Sequence, residues 1–152
     1  MDHGRERCVG LPVPVSRQGA APSSCGEEES MIDVVLFCLA FNVYFEARGE
    51  PLQGQWAVAE VTMLRAKNSG RSLCEEVFED RQFSWNLIER PVVRKGEAWD
   101  TALYVARGTL ISPANFSKGA THFHNNSVKP KWAKSLCETV RIGKHIFYRS
   151  CT

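Results

Sequence analysis

The chain has 152 residues and is 43% hydrophobic, with four tryptophans and eight phenylalanines, enough for one compact core and too little for two. A formal net charge of +2 with 24% charged residues falls well short of the dense basic stripe that neutralises phosphates, so nucleic acid is not an expected partner. Weak attraction to other polyanions remains compatible with this balance.

Residues 1–30 are rich in Pro, Gly, Ser and charge and lack the continuous apolar core of a signal peptide, so they are expected to form a flexible leader, with one domain over 31–152. Met31 at the junction is an alternative translation start. The apolar run MIDVVLFCLAFNVYF follows. It is too short between Asp33 and Glu46 to span a bilayer, which takes about 20 residues, and it includes Asn42. A buried helix is expected there, and no stable membrane insertion.

A second helix is expected from near Gly54 through QWAVAEVTMLRAK, stopped by NSG. Ser72 followed by Glu75 in SLCEEVFE forms a capping box that opens a third. GEAWDTALYVARGTL supplies a fourth, with Ala98, Ala102, Val105, Ala106 and Leu110 on one face. The period then changes: GATHFHN and TVRIGKHIFYRS read as strands, with Gly143-Lys144 as a hairpin turn.

The six cysteines (Cys8, Cys25, Cys38, Cys74, Cys137, Cys151) contain no C-x-x-C pair, which speaks against structural zinc. One disulfide between Cys74 and Cys137 and free buried cysteines are both compatible with the spacing.

Glu46 falls in the last turn of the first helix, where Gly49 and Pro51 end it. The negative helix end and burial beside Tyr44 and Phe45 raise a carboxyl pKa, while Arg48 pulls the other way. A raised carboxyl suits a general acid at neutral pH. The residues alone fit better a solvated carboxylate paired with Arg48 or a lysine.

In this order, NVYFEARGEPLQGQWAVAEVTMLR, CEEVF, QFSW, GATHFHN, P-K-W and IGKHIFYR resemble the cell-wall hydrolase family named for the SleB spore cortex-lytic enzyme, a family also found among phage lysins. The resemblance covers about residues 31–150. It implies an α+β fold, lysozyme-like or lytic-transglycosylase-like, mainly helical with a small β-sheet. It also implies that Glu46 is the catalytic acid. Glu50 is expected to be a structural partner that pairs with Arg48 or holds the turn.

The implied reaction is cleavage of the MurNAc–GlcNAc β-1,4 bond of bacterial peptidoglycan by a monomer without cofactor, as a lytic transglycosylase. A hydrolytic muramidase is the near alternative, and a non-catalytic wall-binding or virion protein the distant one. Chain length and the missing signal suit a phage endolysin, made in the host cytoplasm and acting on the wall from the periplasm.

Around the acid, Gln82, Ser84 and Trp85 suit N-acetyl amides and sugar faces, or else belong to a strand packing Phe83 and Trp85 into the core. His122 and His124 share one face if extended. Without a clear third ligand a metal is not expected, and hydrogen bonding to sugar or to a backbone carbonyl is preferred. Thr121 and Tyr148 complete the expected cleft, although an aromatic on a terminal strand also fits a core position.

Overall fold

The computed structural model describes residues 25–79, 85 and 91–152, with side chains from residue 33 onward. Helix α1 (Cys25–Ala47) carries the apolar run and begins ahead of the expected boundary at Met31. It is apolar on nearly every side because α2 (Leu52–Ser69), α3 (Leu73–Phe78) and α4 (Glu97–Ile111) all pack against it. Leu36, Leu39, Ala40 and Val43 meet Ala102, Val105 and Ala106 of α4 in the main core, and Phe41 meets Val77 and Trp85 in a second cluster. No helix among the described residues is long and apolar enough to cross a membrane.

The chain leaves α1 through a tight turn, in which the Glu50 amide donates to the Ala47 carbonyl, and Pro51 directly precedes α2. Helix α2 ends where Gly70 adopts φ 69° and returns its N–H to the Ala66 carbonyl, a conformation that favours glycine. The Ser72–Glu75 capping box forms in both directions at the start of α3. Asn42 and Thr62 join the buried faces of α1 and α2 through a 2.8 Å hydrogen bond.

Three antiparallel strands follow, β1 (His122–Asn125), β2 (Cys137–Ile142) and β3 (His145–Arg149), in the order β1-β3-β2. Gly143, at φ 58°, makes the expected hairpin turn. Register pairs Phe123 with Phe147 and His122 with Tyr148. The inner face, Phe123 and Phe147, therefore packs on Ala47, Ala57, Val58 and Val61, while His122, His124 and Tyr148 share the outer face. Buried Glu60 fastens the intervening loop to α2 by accepting the amides of Phe116 (3.1 Å) and Ser117 (2.8 Å).

The cysteine expectation is corrected. Cys74 bonds to Cys38, joining α3 to α1, and Cys137 bonds to Cys151, joining β2 to the residues after β3. Cys74 and Cys137 belong to separate halves of the fold, so spacing alone could not pair them.

Candidate active site

Glu46 projects from the last turn of α1 with its Oε1 buried and without a hydrogen-bond partner among the described residues. Loss of solvation pushes its pKa from the ordinary carboxyl range up to about 7, and the Arg65 guanidinium partly opposes that shift. The opposing charge is therefore Arg65 and not Arg48, as the sequence had suggested. Arg48 is exposed and lies with its guanidinium 4.9 Å from the centre of the Tyr44 ring.

Arg65 is itself held. Its Nε lies 3.2 Å from Oε1 of Glu76, an almost wholly buried carboxylate that also takes the Ser69 hydroxyl at 3.2 Å and stands 3.8 Å from Arg71. One cation thus faces two acids, one paired and one left to titrate. The charge of Arg65 also reaches His122, whose pKa is lowered first by burial and then by this repulsion. Through Arg65 the end of α1, the C-terminal part of α2 and the start of β1 meet in one electrostatic environment.

The expected cleft residues separate on inspection. His122 Nδ1 and the Thr121 hydroxyl are 2.9 Å apart, and the Thr121 amide donates to the Tyr148 carbonyl. Tyr148 is buried, but its hydroxyl reaches His124 Nε2 at 3.1 Å, with the two rings stacked. His124 Nδ1 lies 2.8 Å from the Asn125 carbonyl. Both ring nitrogens of His124 are thus engaged, and no group of three or more His, Cys, Asp or Glu among the described residues is placed to hold an ion.

Trp85 is 4% exposed and packs on Phe41, Phe45 and Phe78. Its ring belongs to the core and does not offer a face to a sugar. Gln82 and Ser84 lie outside the described residues.

Glu50 holds the turn, as one expectation had it, but with a different partner: its Oε2 accepts the Lys144 amide at 2.7 Å. Three further carboxylates of α2 and α3 are engaged, Glu60 by two amides, Glu75 by the Ser72 cap and Glu76 by arginines. Sequence reasoning did not single out Arg65 or Trp132. Arg65 carries no local signal, since its role depends on two acids from other helices. Trp132 was visible only as the last letter of P-K-W, yet its ring contacts His122, His124 and Tyr148.

A family model described as Cell Wall Hydrolase matches residues 49–148. The match contains Glu50, Arg65, His122 and Tyr148 and begins just after Glu46. The spore cortex-lytic enzyme of Halalkalibacterium halodurans is 34% identical over 115 residues, 72% of this chain and 33% of that protein. That of Bacillus subtilis is 28% identical over 142 residues, 90% of this chain and 44% of that protein. The chain spans less than half the length of these curated relatives.

Among solved structures, the catalytic domain of the germination-specific lytic transglycosylase SleB from Bacillus anthracis superposes with a TM-score of 0.61 at 26% identity, covering 76% of this chain and 93% of that one. The Bacillus cereus SleB catalytic domain gives 0.61 at 27% identity, covering 77% and 91%. Mainly helical with a three-stranded sheet, the fold is that of these lysozyme-like domains.

Proposed function

The chain belongs to the cell wall hydrolase family, and we propose that it cleaves the MurNAc–GlcNAc β-1,4 bond of peptidoglycan as a lytic transglycosylase, with Glu46 as both acid and base. The supporting observation is the buried Glu46 Oε1, which has no protein partner among the described residues and belongs to a carboxyl raised to about 7. A group of that kind is protonated in a large fraction of molecules at neutral pH and has its donor atom unoccupied. In the proposed reaction it protonates the glycosidic oxygen as the bond to C1 of N-acetylmuramic acid breaks. The resulting carboxylate takes the proton of that sugar's own C6 hydroxyl as its oxygen bonds to C1, which closes a 1,6-anhydro ring and restores the acid. Intramolecular attack avoids the entropy of positioning a water.

The engagement of Glu50, Glu60, Glu75 and Glu76 elsewhere favours this route over a two-carboxylate hydrolysis. Thr121 and His122 are proposed to line the sugar cleft. Two disulfides among the described residues suit an oxidising site of action, and we place the working enzyme on the wall side of a bacterial membrane, as for an endolysin released from the host cytoplasm. Catalysis is assigned to residues 31–152, and a protein lacking residues 2–30 is expected to turn over near the parent rate.

Mass spectrometry of muropeptides released from purified sacculi tests the chemistry. Products ending in 1,6-anhydro-N-acetylmuramic acid, resistant to borohydride, are expected. Reducible ends that incorporate labelled oxygen from water would make the enzyme a muramidase, and sedimentation with sacculi without release would make it a binding protein.

A further inference from the structure

The outer face of the sheet carries a recess of about 380 Å3, apart from the Glu46 environment. Stacked Tyr148 and His124 line it, and Lys129, Lys134, Arg141 and Asn126 border it. None of its lining residues is acidic. Arg141 is neutralised by Glu138, which accepts from its Nε at 2.6 Å and from its Nη2 at 2.8 Å. Lys129 and Lys134 are exposed and have no carboxylate partner among the described residues. Pro130 and the short 3-10 helix Lys131–Ser135 hold these two lysines on either side of Trp132. The Trp132 ring touches His122, which shares the Arg65 field with Glu46, and also touches Tyr148 in the recess.

We propose that this recess is a receptor for a carboxylate-bearing peptide, namely the stem peptide of the peptidoglycan strand; this identification rests on the proposed cleavage reaction. The glycan backbone is uncharged apart from its substituents, so two unpaired lysines have nothing to recognise on it. The stem is attached through the lactyl group at C3 of the muramic acid, and it carries the free carboxylates of its D-glutamate and of its terminus. With the sugar beside Glu46 and His122, a stem passing Trp132 reaches an apolar floor bordered by two cations, a setting in which charge-assisted hydrogen bonds to carboxylates are favoured. Substrate selection is then divided across Trp132, glycan on one side and peptide on the other.

The test uses the full chain with Glu46→Gln, labelled with 15N and titrated with the free tripeptide L-Ala-γ-D-Glu-L-Lys or with its carboxy-amidated form. The free acid is expected to shift the amides around His124, Lys129, Lys134 and Tyr148 saturably. The amidated form should bind at least about tenfold more weakly, and Lys129→Glu/Lys134→Glu should abolish the response in a protein with an unchanged remaining spectrum. In the active chain, the ratio of kcat/KM on stem-bearing strands to that on amidase-stripped strands should fall toward one in the same double variant. Equal binding of acid and amide, no saturable shift, or an unchanged ratio overturns the proposal. Turnover that survives Glu46→Gln defeats the catalytic assignment instead, and leaves the titration result standing.

Discussion

Glu50 and Lys144 stand 94 positions apart, yet Oε2 of the first accepts the backbone N–H of the second at 2.7 Å. The bond ties the turn between α1 and α2 to the hairpin between β2 and β3. Gly143 is part of the same arrangement, because a Cβ there would run into the Glu50 carboxylate and Pro51, and its φ of 58° is unfavourable for other residues. Glu50→Ala should lower stability by about 1 kcal/mol and Gly143→Ala by about 1–3 kcal/mol. Denaturant melts check both. A Glu50→Ala protein as stable as the parent would show that the bond is only a surface contact.

Glu46→Gln is nearly isosteric and should keep the fold while losing at least about a hundredfold in turnover, because an amide cannot deliver the proton. Turbidity assays on sacculi measure the loss, and circular dichroism verifies the fold. If Glu50→Gln were the inactive variant and Glu46→Gln the active one, the two carboxylates would have to exchange roles.

The raised pKa of Glu46 has a definite sign in two experiments. As the proton donor it must be protonated, so kcat/KM should fall on the alkaline side with an apparent pKa near 7. Its folded-state value lies above the ordinary 4.5, so the folded protein holds the proton more tightly than the unfolded chain. The contribution to stability is complete below 4.5, declines as pH rises and is gone above about 7. Glu46→Gln should therefore gain stability relative to the parent between those limits, by an amount on the order of 3 kcal/mol. A difference between the two proteins that does not change with pH would contradict the burial of this carboxyl.

Removing Arg65 acts on both of its acids. Arg65→Met deletes the charge that lowers the Glu46 pKa, so the alkaline limb should move to higher pH. It also takes the 3.2 Å ion pair from buried Glu76, at a cost of about 3 kcal/mol. Arg65→Lys should restore much of the pH profile, since it keeps the charge. A pH–rate profile identical in Arg65→Met and parent would dissociate Arg65 from the acid.

The two disulfides among the described residues close loops of 36 and 14 residues by sequence separation. Chain entropy assigns them about 4 and about 3 kcal/mol. Cys38→Ala/Cys74→Ala should lower Tm by roughly 10 °C, and Cys137→Ala/Cys151→Ala somewhat less. Reductant should lower the parent Tm by much more than that of the quadruple variant, as read by calorimetry.

Local chemistry alone determined much of this molecule. The apolar run from Met31 demands burial, Gly70 and the Ser72–Glu75 box mark helix ends, and Gly143 marks a hairpin, because caps, turns and periodicity act over a few residues. Even Glu46 at a helix terminus was legible, since Gly49 and Pro51 lie just beyond it. Only the tertiary structure decided which cation faces that acid. Arg48 is its neighbour in sequence, but the chain turns after Ala47 and sends Arg48 over Tyr44, while α2 brings Arg65 inward to share its charge between Glu46 and Glu76. Cysteine pairing, the core position of Trp85 and the bond from Glu50 to Lys144 were undetermined for the same reason. Each joins segments distant in the chain, and such pairings depend on how helices and strands pack, which no short window of sequence encodes.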